Sequence, residues 1–343
     1  MLTPAPQEIL LPQQTDIAQS LPEQEVVVPS RNALLVIAGM VIVFALGGFT
    51  TFAYFSHAPH MASSVTKQTA AVAATLPDAF ASVKLQAQSS YVYDIATHQV
   101  LFTLNPDAER PLASLTKIMM ALAVSQVLPL DSNITIPYDT AAPDSAEVLT
   151  KGSVWPVRDV LNFTLIASSN QGADILAGAA NDAIHATYPQ SPVVGATVWR
   201  MNNIARDLGL SSMTFSNDNG LDLSSTQSGA YGSARDVGTL VAYAASTSLP
   251  VFSATTKSNM TFKNDDGQTA TAYNTDTALG AIPGIIMGKT GYTDLAGGHL
   301  AVVVDVGVGH PIVAIVMGST EEGRFSDMKQ LVDATIAAVN QGQ

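Results

Sequence analysis

The chain has 343 residues, enough for one large domain or two of ordinary size. Hydrophobic residues make up 47% of the chain and charged residues only 13%, which supports a folded core. The formal net charge of -13 would repel nucleic-acid phosphates, so nucleic acid is excluded as an expected partner. Because the chain has no cysteine, disulfides, thiolate catalysis and cysteine-ligated metals are also excluded.

A long apolar segment without any acidic or basic side chain spans residues 33–55. Its length is sufficient to cross a bilayer as a helix. A cleaved signal peptide is the alternative, but the residues 1–32 that precede it are unlike a short basic leader. The pattern therefore predicts an uncleaved transmembrane signal anchor. The position of Arg31 before the span favours a cytoplasmic N-terminus and an extracytoplasmic remainder.

Composition divides the rest of the chain into three parts. Residues 1–32 are rich in proline, glutamine and acids, which predicts a disordered cytoplasmic tail. Residues 56–84 are rich in Ala, Ser and Thr and predict a tether. Residues 85–343 carry periodic apolar patterns and predict one globular domain.

Within that domain, residues 89–105 alternate like a β-hairpin with Thr97 and His98 near its turn. The pattern of residues 299–319 predicts two apolar strands around a Gly-rich turn. Helical spacing is found between these strands and after them, at residues 114–128, 158–183, 198–208 and 326–339. Strands at both ends of the domain with helices between them predict an α+β fold.

The first candidate catalytic motif is SLTK, which begins at Ser114 and ends at Lys117. On a helix, residues three apart lie on one face, so the amine is expected near the hydroxyl. A lysine whose pKa is lowered by burial or by another cation can take the proton of a serine nucleophile. Alone this motif is weak, because a capping serine and a solvated lysine produce the same pattern.

Two further motifs follow in order, SSN at residues 168–170 and KTG at residues 289–291. Ser168 is a candidate proton relay, and the Asn170 amide a candidate substrate-binding group. Lys289 adds a second cation. A glycine at residue 291 would let a substrate approach a strand edge, where backbone amides can bind an oxyanion. S-x-x-K, S-x-N and K-T-G together are the recorded signature of penicillin-interacting serine enzymes.

The sequence around these motifs resembles the D-alanyl-D-alanine carboxypeptidases of the low-molecular-weight penicillin-binding proteins. The similar segments extend from Ser90 to the C-terminus and are RPLASLTKIMMAL, KGSVWPVRDVLNFTLIASSN, FSNDNGLD, SARDVGTL and IMGKTGYTDLAGGHL. The resemblance implies the penicillin-recognising fold, an antiparallel sheet flanked by helices with a helical subdomain. It also implies removal of the terminal D-alanine from peptidoglycan stem peptides, inhibition by β-lactams, and no metal or other cofactor.

The same resemblance implies a role for each motif residue. Ser114 would be the nucleophile and Lys117 its base. Ser168 and Asn170 would relay a proton and hold the substrate, and Lys289 would be their electrostatic partner.

The resemblance also implies a substrate-binding group made of Thr290, Gly291, Tyr292 and Arg324. The amides of Ser114 and Tyr292 would form the oxyanion hole. Arg324 would help to hold the terminal carboxylate of the substrate. The alternative for Arg324 is an exposed arginine at the start of a helix.

One departure from the family pattern concerns the residues after the SSN motif. The family commonly has Asp-Ala there, whereas this chain has Gln171 and Gly172. The departure puts the local helix packing in question more than the chemistry.

Several other functions remain as alternatives. A class A β-lactamase would need a glutamate between the second and third motifs, and residues 148–320 contain none. A peptidoglycan endopeptidase would use the same residues and differ only in its cleft. A non-enzymatic cell-wall-binding scaffold would not need all five reactive side chains. A Ser-His-Asp hydrolase is disfavoured because the chain lacks a G-x-S-x-G motif, and no H-E-x-x-H metal motif is present.

Overall fold

The computed structural model describes residues 78–137 and 149–342. The chain separates into two units, Met1–Ala73 and Ala74–Gln343, and every described residue belongs to the second. The predicted tail at 1–32 and transmembrane span at 33–55 lie outside the described residues. Of the predicted tether at 56–84, the described part already packs on the domain, since the ring of Phe80 stacks on that of Phe102 with centroids 5.2 Å apart.

A five-stranded antiparallel sheet forms the centre of the domain, in the order β12-β13-β14-β1-β2. The first strands, β1 and β2, form the predicted hairpin, and β13 and β14 are the two predicted apolar strands; both predictions are confirmed. Strand β12, which carries the KTG motif, completes the sheet at one edge. The bounds are β1 Ser89–Asp94, β2 Gln99–Leu104, β12 Ile285–Thr293, β13 Gly297–Asp305 and β14 Pro311–Ser319.

Short strands form four small sheets around this centre, in which β3, β9 and β6 associate, and β4–β5, β7–β8 and β10–β11 pair. The β10–β11 hairpin was not predicted, although NMTFK and TATAY both alternate with the period of a strand. The bounds are β3 Arg110–Pro111, β4 Asn133–Thr135, β5 Val154–Pro156, β6 Thr214–Phe215, β7 Asp222–Ser224, β8 Gln227–Ser228, β9 Ala230–Gly232, β10 Asn259–Lys263 and β11 Thr269–Tyr273.

All four predicted helical regions are present, with one change. The region predicted at residues 158–183 is two helices, because Ser168 between them has φ 56°, which is incompatible with a continuous right-handed helix. The helices are α1 Thr116–Ser125, α2 Val157–Ile166, α3 Asn170–Thr187, α4 Ala196–Asp207, α5 Ala234–Thr247, α6 Leu249–Phe252 and α7 Gly323–Gln341, with 3-10 turns at Ala113–Leu115 and Ser253–Thr256.

Helices cover both faces of the central sheet, so the middle strands are buried on both sides and are mostly apolar. On one face α7 packs Leu331 and Val332 against Val302 and Val316. On the other face α1 to α5 form a larger core with side chains such as Val303. The α+β architecture predicted from the sequence, with its helical subdomain, is therefore observed.

Within the described ranges, no single helix is long and apolar enough to cross a membrane. One bent pair, Ala234–Thr247 with Leu249–Thr256, meets the length and composition criteria together, but its two parts meet at 107°.

Candidate active site

The candidate nucleophile lies in a tight turn rather than in the first turn of an α-helix. Ser114 is in the middle of the 3-10 turn Ala113–Leu115, and α1 begins two residues later at Thr116. Ala113 has φ 47°, a left-handed conformation that an alanine adopts only at a cost of about 1–2 kcal/mol. The turn leaves the Ser114 side chain partly exposed while its neighbours are buried.

Lys117 is fully buried in α1, and its Nζ donates three hydrogen bonds. The acceptors are Ser114 Oγ at 2.8 Å, Asn170 Oδ1 at 2.7 Å and the backbone oxygen of Asn219 at 2.7 Å. Burial lowers the pKa of Lys117 to about 7, although the charges of Asp174 and Asp218 oppose the shift. At neutral pH a large share of Lys117 is therefore uncharged.

The three partners also determine where the lone pair of the neutral amine points. A neutral amine has two N–H donors and one acceptor lone pair. Asn170 Oδ1 and the carbonyl of Asn219 can only accept hydrogen bonds, so they take the two N–H groups. The hydroxyl of Ser114 is the one partner that can donate. The lone pair therefore faces the Ser114 proton, which is the arrangement that a general base requires.

The SSN motif occupies the junction between α2 and α3. Ser169 immediately precedes α3, and its Oγ accepts a hydrogen bond from Gly172 N at 3.0 Å, a standard N-terminal cap. Ser168, with its left-handed φ, is thereby turned out of both helices. Its Oγ accepts a hydrogen bond from Lys289 Nζ at 2.8 Å.

The departure at Gly172 has a local explanation. A Cβ atom at Gly172 would lie 2.1 Å from Oγ1 of Thr164, a fully buried residue of α2. Thr164 therefore fills the space that an alanine would occupy. Helix α3 begins normally, and the packing question raised by the sequence is answered.

Lys289 is the second buried lysine of the site. Its Nζ donates to Ser168 Oγ and to the backbone oxygen of Thr290 at 2.9 Å. Burial, and then the charges of Lys117 and Arg324, hold the pKa of Lys289 well below its ordinary value, while Asp276 opposes the shift. Burial and the neighbouring cations therefore disfavour the charged form of Lys289.

The KTG motif brings the edge of the sheet against the nucleophile turn. A Cβ at Gly291 would lie 3.3 Å from Ser114 N, Leu112 O and Ala113 Cβ, so only glycine fits there without displacing neighbours. No strand within residues 78–137 or 149–342 pairs with the outer edge of β12, which leaves that edge open beside Ser114. Tyr292 follows with its side chain 46% exposed.

Arg324 lies at the start of α7 but is not a surface residue. Only 7% of it is exposed, so the alternative interpretation as an exposed arginine is wrong. Its Nη1 donates to Gly291 O at 3.0 Å, and its guanidinium lies 4.6 Å from the ring centroid of Phe325. Its Nε is buried without a hydrogen-bond partner. Arg324 therefore binds, through this hydrogen bond, the backbone of the strand that carries the KTG motif.

His299 holds the same region together from within the sheet. It is fully buried on β13, where Nε2 donates to Pro111 O at 2.8 Å and Nδ1 accepts from Gly318 N at 2.9 Å. Burial lowers the pKa of His299 to about 4, so the ring is neutral and its tautomer is defined by these partners. It links β13 and β14 to the segment that leads into the nucleophile turn.

The loop at residues 217–221 supplies a partner to Lys117 that was not predicted, although the segment FSNDNGLD around it was recognised as similar to the family. The Asn219 carbonyl accepts from Lys117, and the Asn219 side chain donates to Asp174 Oδ1 at 2.7 Å. Gly220 has φ 83° and packs directly on the nucleophile turn. Apart from that similarity, the Asn-Gly pair, which is typical of tight turns, was a signal for this loop.

In the part of the chain that the structure describes, no three His, Asp or Glu side chains come close enough to hold a metal ion. The site consists instead of a serine with a buried lysine and a second serine with a second buried lysine. This arrangement, on a sheet flanked by helices, defines a serine-type peptidase of the penicillin-interacting class.

A family model described as D-alanyl-D-alanine carboxypeptidase matches residues 70–321, and the chain belongs to that family. The D-alanyl-D-alanine carboxypeptidase DacB2 of Mycobacterium tuberculosis is 29% identical over 239 residues, which cover 69% of this chain and 77% of the relative. A D-alanyl-D-alanine endopeptidase of Escherichia coli is 27% identical over 281 residues, which cover 80% of this chain and 83% of the relative.

The crystal structure of penicillin-binding protein D2 from Listeria monocytogenes, in its cefotaxime-bound form, is also similar. The two structures superpose with a TM-score of 0.60 at 29% identity, covering 74% of this chain and 98% of that one. The similarity covers nearly the whole of the smaller protein. The penicillin-binding DD-peptidase fold inferred from the sequence is therefore confirmed for the catalytic domain.

Substitution of Gly220 by alanine tests the packing of the loop on the nucleophile turn. The new Cβ would lie 1.9 Å from Ala113 O, in addition to the strain of φ 83°. We expect Gly220→Ala to lower the free energy of unfolding by roughly 2–5 kcal/mol. Gly209→Ala is the control, because Gly209 has φ 72° but no atom within 4 Å of the added Cβ. Urea denaturation measures both variants, and equal losses would contradict the contact.

Proposed function

We propose that this protein is a serine-type D-alanyl-D-alanine carboxypeptidase that removes the terminal D-alanine from peptidoglycan stem peptides through an acyl-enzyme on Ser114. The observation that carries the proposal is the state of Lys117. Its amine is buried, has a pKa lowered to about 7, and offers its lone pair to the Ser114 hydroxyl at 2.8 Å. No scaffold function needs a buried base beside a serine, whereas acyl transfer does.

In the acylation step, Ser114 Oγ attacks the carbonyl carbon of the penultimate D-alanine while its proton passes to Lys117 Nζ. The amides of Ser114 and Tyr292 are the proposed donors to the oxyanion, and the contact of Gly291 with Ser114 N supports this by placing β12 beside the turn. Ser168 then relays the proton to the leaving amine, and D-alanine departs.

In the deacylation step, water attacks the ester on Ser114, and Lys117, neutral again, accepts a proton from the water. Ser114 regains its proton when the stem peptide leaves. The Lys289 amine keeps the Ser168 hydroxyl in place throughout. Because burial and nearby cations lower the pKa of Lys289 in the empty site, a substrate carboxylate beside it would raise that pKa again.

The substrate carboxylate is the proposed ligand of Thr290, with Arg324 adding positive charge from behind β12. The hydroxyl of Thr290 shares a hydrogen bond with Thr275 Oγ1. Arg324 is buried close to Asp276, whose own pKa is raised by burial. A carboxylate near these groups would add a negative charge beside Lys289 and Arg324.

Two related activities differ from this proposal only in the substrate. A DD-endopeptidase would use the same residues on cross-linked peptides, and the similarity to an endopeptidase of Escherichia coli favours it as the second candidate. Efficient β-lactamase turnover is less consistent with the chain, since residues 148–320 contain no glutamate to activate water. Release of D-alanine from a monomeric stem peptide, compared with cleavage of a cross-linked dimer, separates the first two.

We also propose that the protein is a single-pass membrane protein with its catalytic domain outside the cytoplasm. Residues 33–55 would be the transmembrane signal anchor, residues 1–32 the cytoplasmic tail, residues 56–84 the tether and residues 85–343 the DD-peptidase domain. The support is the length of the span and its lack of acidic and basic side chains. Peptidoglycan lies on the outer side of the membrane, which agrees with this orientation.

Benzylpenicillin tests the nucleophile directly. Incubated with the full-length chain, it should add the mass of one penicillin, because it resembles an acyl-D-Ala-D-Ala end and acylates the same serine. The adduct should be absent from Ser114→Ala and present in Ser90→Ala, a control at a buried serine of β1. Intact mass over time checks the result. A long-lived adduct supports a DD-peptidase, rapid clearance would favour a β-lactamase, and no adduct would favour a scaffold.

Removal of the Arg324 guanidinium tests carboxylate recognition. We expect Arg324→Gln to raise KM for a peptide ending in D-Ala-D-Ala by roughly 10–100-fold, the effect of losing one charged interaction, with a smaller change in kcat. Release of D-alanine provides the assay. Arg158→Gln is the control, since Arg158 is 53% exposed and pairs only with Asp131 among the ion pairs of the described residues. Arg324→Lys should recover part of the affinity, and an unchanged KM in Arg324→Gln would remove the role.

Deletion of residues 33–55 tests the anchor. The full-length chain should sediment with membranes and require detergent for release, whereas the deletion variant should be soluble in the cytoplasm. Deletion of residues 4–29 is the control and should leave membrane association intact. N-terminal sequencing of the membrane-bound protein completes the test, because a mature N-terminus near Ala62 would mean that the span is cleaved.

A further inference from the structure

A groove outside the three motifs lies between β1 and α5. Its volume is about 380 Å³, which is in the range of small-molecule binding sites. One wall comes from β1 and the turn that follows it, with Tyr91, Tyr93, Ile95 and His98 as its lining residues. Tyr91 and Tyr93 are two apart on a strand, so both side chains point to the same face of the sheet. None of these side chains takes part in the contacts around Ser114.

The opposite wall is one face of α5. Its lining residues, Thr239, Ala242, Tyr243 and Ser246, have the spacing of a single helix face. The hydroxyls of Thr239 and Ser246 donate to carbonyl oxygens of their own helix at 3.0 and 2.8 Å. Their oxygen lone pairs are therefore still able to accept hydrogen bonds from a ligand.

The tyrosine rings are held in place by packing. The rings of Tyr91 and Tyr93 are nearly parallel, at 12° with centroids 6.2 Å apart. Tyr91 is buried, whereas Tyr93 and Tyr243 are half-buried. A Cβ atom at Gly238 of α5 would lie 2.5 Å from Cδ1 of Tyr91, so the missing side chain provides the space for this ring. The groove thus offers aromatic surface in a fixed orientation.

Tyr93 and His98 form a hydrogen-bonded pair, with 3.0 Å between the Tyr93 hydroxyl and His98 Nδ1. The phenol and an uncharged imidazole each have one hydrogen to donate. One of the two hydrogens is used inside the pair, whichever way the hydrogen bond runs. The pair therefore keeps one donor and at least one acceptor for a ligand, which matches a hydroxyl or an amide.

The turn that carries His98 is organised before any ligand binds. Asp94 Oδ1 accepts from Ala96 N at 2.8 Å and from Thr97 N at 3.1 Å. His98 has φ 58°, a left-handed conformation in which glycine is free of strain. A histidine at this position places an imidazole at the groove in spite of that strain.

The charge of the groove selects the class of ligand. None of the described residues that line it is Asp, Glu, Lys or Arg. A phosphate or another anion would find no cation there and would be repelled by a chain with a net charge of -13. An ammonium ligand would find aromatic rings but no carboxylate. The lining therefore suits an uncharged ligand that has both an apolar face and polar groups.

A pyranose sugar has this combination. Its ring has a face of C–H groups, which is attracted to the electron-rich face of an aromatic ring. Its rim carries hydroxyls that both donate and accept hydrogen bonds, as the Tyr93–His98 pair requires. An acetamido group on the sugar would add a methyl for the apolar side chains of Ile95 and Ala242.

We propose that the groove between β1 and α5 binds an N-acetylated pyranose sugar of the glycan strand to which the stem peptides are attached. The sugar class follows from the lining of the groove. Only the source of the sugar rests on the function proposed above. Binding of the glycan strand at this groove would keep the domain on polymeric substrate between successive cleavages.

The direct test is titration calorimetry with chitotriose, the β-1,4-linked trimer of N-acetylglucosamine, and the full-length chain in a detergent without a sugar headgroup. Wild type should bind it, and Tyr93→Ala should weaken binding by about 3–10-fold, the effect of one aromatic contact. Tyr273→Ala is the matched control, since Tyr273 is 67% exposed on β11, and it should leave binding unchanged. Maltotriose, which lacks the acetamido groups, should bind more weakly, and equal affinity would contradict the N-acetyl assignment.

A second variant guards against misfolding of Tyr93→Ala. Ser246→Leu adds bulk from an exposed helix position and should also weaken binding. Acylation by benzylpenicillin at the wild-type rate verifies that each variant is folded. No saturable binding to wild type would overturn the proposal, and so would unchanged affinity in folded Ser246→Leu and Tyr93→Ala. Binding of tetramethylammonium in place of the sugar would overturn it as well.

The role in the reaction is measured as release of D-alanine from polymeric peptidoglycan and from a free pentapeptide. Tyr93→Ala should raise KM for the polymer and leave kcat and the KM for the free peptide unchanged. An equal rise of KM for both substrates would indicate a structural role and overturn the inference. Wild type that releases D-alanine from neither substrate would refute the function proposed above, and the chitotriose titration would still decide whether the groove binds a sugar.

Discussion

The site depends on the burial of one amine. Lys117 has no exposed surface, so its charged form is costly and its neutral form is accessible at neutral pH. Burial alone would give an inert lysine. The side-chain oxygen of Asn170 and the backbone oxygen of Asn219 accept its two N–H groups, so that the lone pair of the neutral amine faces Ser114. Three separate chain segments are therefore required to produce one base.

A second buried lysine makes the same region electrostatically unusual. Burial, and then the charges of Lys117 and Arg324, lower the pKa of Lys289. In the empty site this favours neutral amines, which can accept protons. A bound carboxylate would reverse the balance at Lys289, so substrate recognition and proton transfer share the same charges. Asp174 and Asp218 provide the opposing charge behind Lys117.

The fold brings these segments together through the order of its strands. Strand β1, near the start of the described domain, pairs with β14 near its end, so the sheet is completed only when both termini of the domain are in place. The edge strand β12 then lies against the nucleophile turn. Helix α7 follows β14 and delivers Arg324 to the carbonyl of Gly291. The site is consequently a product of the whole domain rather than of a local motif.

The sequence alone determined the elements whose signals are local: the β1–β2 hairpin, the apolar strands β13 and β14, and the pairing of Ser114 with Lys117, which follows from helical spacing. It also indicated the family, through motifs that are distinctive only in combination. The tertiary structure decided the rest. Ser168 meets Lys289 across 121 positions of sequence, a distance over which no periodicity reports contact.

The carbonyl of Asn219 and the break in the helix at Ser168 were likewise decided by the tertiary structure. Any residue has a carbonyl, and a left-handed φ at a serine is imposed by its surroundings, so neither leaves a residue-specific pattern. The positions that generate the chemistry are set by burial and by long-range packing, and these properties exist only once the chain has folded.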